Sequence, residues 1–306
     1  KADPAYAGNE LTLSPTHPLM LQPIDRAARR EILRAFLEED IGQGDVTTLA
    51  IVPVDRKAVG YFVAKAPLVL AGIDVAIDVL TLLDEGLAVE RSHRDGDRLG
   101  KGERPAQVRG QARALLTGER VATNLLQRLS GIATLTKQFV DAVHGTHARI
   151  LDTRKTAPGL RAFDKYAVTV GGGFNHRLGL DDAILIKENH IKIAGGIYPA
   201  IEAARSFRDR VAWLEVEVTT IEELQEALKW EVDAVLLDNM NPGMAQQAVE
   251  LVHAHRITGK PLVEASGGIT LDNVRRFAEA GVDWISVGAL THSAPAVDIS
   301  FEIEPA

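Results

Sequence analysis

Five cationic side chains cluster in one stretch of this 306-residue chain: Arg154, Lys155, His176, Arg177 and Lys187. From Asp152 to Lys192 there are seven Lys and Arg against five Asp and Glu, a local positive excess inside a chain of net charge −8. Arginine offers a planar fork that matches a carboxylate, and lysine a compact charge suited to phosphate or carboxylate. Read singly, each is an ordinary solvated charge. Read together, they point to a substrate with more than one anionic group. The triplet Gly171-Gly172-Gly173 before His176 serves equally well as a turn, and alone says little about phosphate.

Two further groups could complete such a site. Ser266-Gly267-Gly268 and Val287-Gly288-Ala289 are small-residue loops near the end of the chain, the first leading to a helix expected to open at Thr270. Free backbone N–H groups in such loops commonly hold a phosphate. Glu217 and Asp238 are acidic candidates that could accept ribose hydroxyls or hold Mg²⁺ through water. Glu215 shares the strand face of Glu217 by the period of two, and is otherwise a core residue paired with a lysine. His144, His147, His253 and His255 lack a third ligand at zinc spacing and read as surface or helix-end histidines. The chain has no Walker A motif, dinucleotide fingerprint or G-x-S-x-G elbow.

The elements that must position these residues are readable from the apolar pattern. Six short strand candidates, around 150–151, 183–186, 213–218, 234–237, 261–263 and 284–287, alternate with helical stretches. Thr220 with Glu223 forms a capping box, and Asn241-Pro242 an N-cap followed by proline at the first helical position. This alternation predicts βαβ units and a parallel sheet, either a barrel or a doubly wound sheet. Lys187, Glu217, Asp238, Ser266 and Gly288 fall at the carboxyl ends of their strands, which favours the barrel. Before this region, residues 24–39 predict an amphipathic helix, and residues 58–63, 89–92 and 106–110 predict strands of a small antiparallel sheet. Residues 112–144 predict two helices broken near Ser130-Gly131. Residues 1–23 read as a loose leader without the charged-then-apolar order of a signal peptide.

Composition sets the outer bounds. With 46% hydrophobic and 25% charged residues the chain is ordinary for a soluble globular protein. Its acidic balance argues against a nucleic-acid binder. Zero cysteines exclude disulfides, thiolate metal sites and cysteine nucleophiles, and fit a cytoplasmic enzyme. No apolar run approaches the roughly 18 residues of a membrane span.

Taken in order, the motifs Asp152-Thr153-Arg154-Lys155-Thr156-x-Pro158-Gly159, Gly171-Gly172-Gly173-x-Asn175-His176-Arg177 and Ile186-Lys187-x-Asn189-His190 resemble those of the quinolinate phosphoribosyltransferases. That is the decarboxylating nicotinate-nucleotide pyrophosphorylase family of NAD synthesis. The resemblance continues through residues 40–48, Gly118-Glu119-Arg120, Glu215-Val216-Glu217-Val218, Leu237-Asp238-Asn239-Met240 and Glu264-Ala265-Ser266-Gly267-Gly268, and spans about residues 25–303. It implies an α/β fold: an N-terminal α/β sandwich with an antiparallel sheet (24–130) and an incomplete seven-stranded α/β barrel (131–291). The segment 292–306 would return to the first domain.

The resemblance also implies roles. Arg120, Thr153, Arg154, His176, Arg177 and Lys187 would bind quinolinate, with Arg120 lent across a homodimer interface. Lys155, Glu217, Asp238, Ser266, Gly267, Gly268, Val287, Gly288 and His292 would bind 5-phosphoribosyl 1-pyrophosphate. Lys155, Lys187, Glu217 and Asp238 would carry the catalysis, with Mg²⁺ held at Glu217 and Asp238 through substrate or water. Neither nucleic acid nor membrane is an expected partner. Two rivals are a paralogous barrel enzyme acting on another acid and a non-catalytic sugar-phosphate sensor. Neither accounts for the complete cationic set.

Overall fold

A computed structural model describes residues 20–255 and 261–306. In chain order the first elements are α1 (Arg26–Ile41), α2 (Val46–Ile51), β1 (Lys57–Ala64), β2 (Leu68–Val69), α3 (Ile73–Leu83), β3 (Ala88–Arg91), β4 (Arg98–Leu99), β5 (Ala106–Gln111) and α4 (Ala112–Ala142). Next come β6 (Arg149–Leu151), α5 (Arg161–Val170), β7 (Ile184–Ile186), α6 (Glu188–Ala194), α7 (Ile197–Arg205), β8 (Leu214–Val218) and α8 (Ile221–Ala227). The chain ends with β9 (Ala234–Asp238), α9 (Pro242–Ala254), β10 (Leu262–Ser266), α10 (Val274–Glu279), β11 (Trp284–Ser286), α11 (Ala289–His292) and β12 (Ile299–Pro305).

One sheet is antiparallel, in the order β12-β1-β5-β3. The last strand therefore returns to pair with the first, with Phe62 opposite Phe301. Between β1 and β12 the side chains are tightly fitted, and a Cβ on Gly60 would stand 2.2 Å from the Phe301 ring. Helix α4 packs on this sheet and α3 packs against α4, which is a single helix of 31 residues. The break expected near Ser130-Gly131 is absent, and the boundary placed there falls in mid-helix. The reason lies in the far end of the chain: a Cβ at Gly131 would meet the Pro295 carbonyl oxygen at 2.2 Å. The glycine lets the C-terminal segment cross against the helix, a role that local sequence cannot distinguish from a helix stop.

The other sheet is parallel, in the order β6-β11-β10-β9-β8-β7. The inner strand β9 reads as an unbroken apolar run because both faces are covered, and Ala234, Val235, Leu236 and Leu237 are all buried; β8 and β10 carry the buried Glu215 and Glu264. All six expected strands are present. The seventh expected from the resemblance is reduced to a single bridge, Leu151 to Phe174, on the free side of β6.

The sheet is strongly curled. Laid flat, Phe174 and β8 would be five strand spacings apart, ~24 Å. Two residues beyond Phe174, however, the His176 ring lies 3.1 Å from Glu215 on β8. The caps on Thr220 and Asn241 form as expected, accepting from the Glu223 and Met244 N–H groups. The helix expected at Thr270 starts four residues later: Asn273 caps the turn by accepting from Thr270 N–H, and α10 begins at Val274. Much of the stretch read as a loose leader lies outside the described residues. Within it, Leu21 is buried, donates to Asn175 Oδ1 and accepts from Thr169 Oγ1.

Candidate functional site

The carboxyl ends of the parallel strands surround one cavity of about 580 Å³. Its lining includes Thr153, Arg154, Lys155, His176, Arg177 and Lys187 from the first part of the sheet region, and Glu217 and Asp238 from β8 and β9. Ser266, Gly267, Gly268, Val287, Gly288 and His292 complete it from the last two strand ends. Every site residue expected from the sequence is thus brought together except Arg120, which is exposed on α4 and is not part of the lining.

Strand register explains several neighbours. Ser266 pairs directly with Asp238 and with Ser286, which sets the hydroxyls and the carboxylate at one level. Ile186 pairs with Val216, so the next residues along, Lys187 and Glu217, fall side by side, and their charged ends are 3.1 Å apart. After β10 the chain turns through Gly267 (φ 89°) and Gly268 (φ 63°). A Cβ on Gly267 would overlap Asn239 Oδ1 at 2.3 Å, so this loop is closely packed as well as left-handed. Asn239 itself has φ 55° and donates to Asp238 Oδ2, orienting that carboxylate. At Gly288 a Cβ would meet Lys155 Cδ at 3.0 Å and the His292 ring at 3.2 Å, so these two side chains converge on the same loop.

The cations of the rim differ in how they are held. Among the described residues neither Arg154 nor Lys155 is paired with a carboxylate; Arg154 reaches only the Gly179 carbonyl, at 3.5 Å. Arg177 is buried and donates to the Ala183 carbonyl at 3.1 Å. Burial and then the neighbouring Arg154 charge push its pKa down, opposed by Asp182 and Glu215. A guanidinium held in this way gains from an arriving carboxylate.

Below the rim lie charged groups that sequence reasoning passed over. Lys165 and Asp152, both fully buried, are 2.5 Å apart. Burial pushes the Asp152 carboxyl up and the Lys165 ammonium down, and each charge opposes the shift of the other. Asp152 also accepts from the Asn175 side chain and the His176 N–H, so it anchors the segment that carries His176 and Arg177.

Glu215, expected to pair with a lysine if it lay in the core, faces His176 instead, and Glu264 joins it; Nε2 lies 3.1 and 3.2 Å from the two carboxylates. Burial disfavours a charged ring, while the Glu264 and Glu215 charges push its pKa up. Nδ1 cannot readily take the extra proton, because it already accepts from the Arg177 N–H at 2.8 Å. The Glu215 carboxyl, itself pushed up by burial and by Glu264, is the group placed to take it. The signal for Glu264 was its spacing of two from Ser266 on one strand face; for Lys165, only the fold reveals the partner.

A curled parallel α/β sheet whose strand ends bring cations, two carboxylates and two glycine loops onto one cavity defines an enzyme-type site for a small polyanion. Known proteins make the class specific. The family model described as quinolinate phosphoribosyl transferase, C-terminal domain, matches residues 132–302, and that for the N-terminal domain matches residues 45–130. The chain belongs to the quinolinate phosphoribosyltransferase family.

It is 43% identical over 274 residues to a probable nicotinate-nucleotide pyrophosphorylase [carboxylating] of Bacillus subtilis, covering 90% of this chain and 93% of that protein. To the nicotinate-nucleotide pyrophosphorylase [carboxylating] of Mycobacterium leprae it is 44% identical over 290 residues, covering 93% and 100%. The crystal structure of NadC from Streptococcus pyogenes superposes with a TM-score of 0.88 at 39% identity, over 94% of this chain and all of that one. The two family models meet inside α4, so the helix belongs to both regions.

Proposed function

We propose that this chain transfers the phosphoribosyl group from 5-phosphoribosyl 1-pyrophosphate to quinolinate with loss of carbon dioxide, giving nicotinate mononucleotide and pyrophosphate for NAD synthesis. The observation that carries this reading is the convergence of Arg154, Lys155, Arg177 and Lys187 with the Ser266–Gly268 and Val287–Gly288 loops on one cavity. A dicarboxylate and a sugar phosphate both need such a lining.

In this reading Arg154 and Arg177 take the carboxylates of quinolinate, with Thr153 beside them, and so orient the pyridine nitrogen toward the anomeric carbon. The two small-residue loops and His292 receive the 5-phosphate. Glu217 and Asp238 accept the ribose hydroxyls and oppose the positive charge that grows on the sugar as pyrophosphate leaves. Lys155 and Lys187 neutralise the leaving group. Carbon dioxide then departs from the carbon next to the cationic ring nitrogen, which stabilises the electron pair left behind until that carbon takes up a proton from solvent. The oxygen-only donors at Glu217 and Asp238 suit Mg²⁺, which would approach them through substrate or water and supply charge neutralisation of the pyrophosphate. The ultraviolet spectrum of quinolinate mixed with 5-phosphoribosyl 1-pyrophosphate and Mg²⁺ tests the reaction. No change in the presence of folded protein defeats it.

We also propose a cytoplasmic homodimer in which Arg120 completes the partner's cavity. Support comes from a band of exposed apolar residues near it: Val46, Leu49, Ile51 and Val54 on and after α2, and Leu116 one turn before Arg120. Thr117 ties α4 to the start of α2 by donating to Asp45. An apolar face of this kind marks a protein contact. Mixing inactive Arg120→Ala with inactive Lys187→Ala chains is expected to restore part of the activity in hybrid dimers. Proven exchange without recovery would exclude the shared site.

A further inference from the structure

His176 lines the cavity, yet none of its polar atoms is left for a ligand. Its N–H donates to Asp152 Oδ1 at 2.9 Å, and its carbonyl accepts from Lys165 Nζ at 3.1 Å. In the ring, Nδ1 accepts from the Arg177 backbone N–H at 2.8 Å, and Nε2 faces Glu215 and Glu264. Trp213 and Trp284 stand edge-on to the ring, with centroids at 5.5 and 6.4 Å, and close off its sides.

We infer that His176 is a positioning residue for the site rather than a contact for its substrate. Its Nε2–H tautomer is held by the hydrogen bond to Glu215, beside the Glu264 carboxylate, and leaves Nδ1 as the acceptor that fixes Arg177 against the bound dicarboxylate. The identity of that dicarboxylate is taken from the function proposed above; the tautomer is not.

The physical argument is one of donors and acceptors. A neutral imidazole has one N–H and one lone pair, and the group facing each nitrogen selects which is which. An amide N–H at 2.8 Å from Nδ1 requires the lone pair there, so the proton is on Nε2, where Glu215 accepts it at 3.1 Å and the Glu264 carboxylate stands 3.2 Å away. The same three side chains could in principle ligate a divalent cation, because one atom from each lies within 4.8 Å of the others. A metal on Nε2 would force the ring proton onto Nδ1, donor against donor with the Arg177 N–H. The geometry therefore selects the proton over the metal.

The consequence for the site is mechanical. The Arg177 backbone is gripped next to its Cα, and its guanidinium is steadied by the Ala183 carbonyl, so the fork cannot swing away from the Arg154 charge beside it. A rim cation that would otherwise be pushed outward is held where a carboxylate can use it.

Nitrogen-15 NMR of the full chain labelled on histidine reads the tautomer directly, with the His176 signals identified by their loss in His176→Asn. The expected spectrum has an unprotonated Nδ1 and a protonated Nε2, both unmoved on saturation with quinolinate. A protonated Nδ1, a ring nitrogen shifted by quinolinate, or an Nε2 shifted by Zn²⁺ alone would each overturn the inference.

Kinetics supply the second arm. His176→Asn keeps an acceptor near the Nδ1 position, whereas His176→Gln carries its amide to the Nε2 position and leaves the Arg177 N–H bare. His176→Gln is expected to raise the quinolinate KM by about tenfold or more, the cost of a buried donor left unpaired. It should lower kcat less than it raises KM, and His176→Asn should raise KM less than His176→Gln does. The reverse order of KM values would mean direct contact through Nε2 and would overturn the assignment. If His176→Asn fails to fold, loss of the signals in His176→Gln identifies them, and the wild-type spectrum then decides. Wild-type protein that does not turn over quinolinate would defeat the proposed function, while the tautomer in the free protein is still read independently.

Discussion

In the antiparallel region Asp78 is almost wholly buried and receives both Arg26 and Arg29, the latter through two hydrogen bonds. At the carboxyl ends of the parallel strands, Arg154 and Lys155 stand with no carboxylate partner among the described residues. The two regions put charge to opposite uses. In the first, each buried charge has its counter-charge, and the pair joins helix to helix. In the second, cations are gathered without enough anions and await a ligand.

A third group, the Lys165–Asp152 and Arg128–Asp164 pairs, lies between these extremes. Lys165, Asp152 and Asp164 are buried and Arg128 is half-buried; all four are paired, directly behind the site. Arg128 grips Asp164 with two bonds and also reaches the Thr291 carbonyl, linking α4 to α5 and α11. Scaffold and site therefore meet through satisfied charges, while the unsatisfied ones face the cavity.

If that contrast is right, substitutions in the two regions should fail in different assays. The largest effect is expected at the unpaired rim: Arg154→Ala should abolish quinolinate-dependent release of carbon dioxide, by a factor of about 10³ or more given the strength of charge-assisted contacts in a closed site. Its thermal midpoint should remain near that of the parent, because only a long 3.5 Å contact to the Gly179 carbonyl is lost. Near-normal release would remove Arg154 from the site.

Behind the rim the expected pattern reverses. Lys165→Met leaves Asp152 buried without its counter-charge and should cost about 3–5 kcal/mol of unfolding free energy. Denaturant melts measure this, and a change below about 1 kcal/mol would show that the pair is not a structural one. Smallest is Asp141 on the surface, whose pKa is lowered by the hydrogen bond from Lys137 and further by Lys137 and Arg98 charges. A lowered pKa adds stability that is present at neutral pH and lost as pH falls through the folded-state value. Asp141→Asn should therefore change neutral-pH stability by well under about 1 kcal/mol and flatten only the acid limb of the stability profile. A larger effect would contradict the division between paired surface charge and buried scaffold.

Much of the parallel region could be read in advance. Strands buried on both faces are rich in apolar residues whatever their neighbours are, and a polar residue at or near the carboxyl end of such a run stands out; hence Lys187, Glu217, Asp238 and Ser266 were legible without coordinates. Gly131 shows the opposite case. A glycine inside a helical pattern looks like a stop, and only the crossing of Pro295 explains why α4 continues through it. Thr270 misled for a related reason: its N–H is capped by Asn273, so the turn before α10 has capping chemistry without being the helix start.

Local order along the chain was enough to establish the strands, the family and the rim of cations, because periodicity and motif spacing are properties of neighbouring residues. Contacts between distant residues were decided only by folding. Asp152 finds Lys165, His176 finds Glu215 and Glu264, and β12 returns to β1. Each of these pairings depends on how far the parallel sheet curls and where the last segment crosses α4. A buried charge is tolerable only where its partner arrives, and that arrival is set by three-dimensional closure rather than by spacing along the chain.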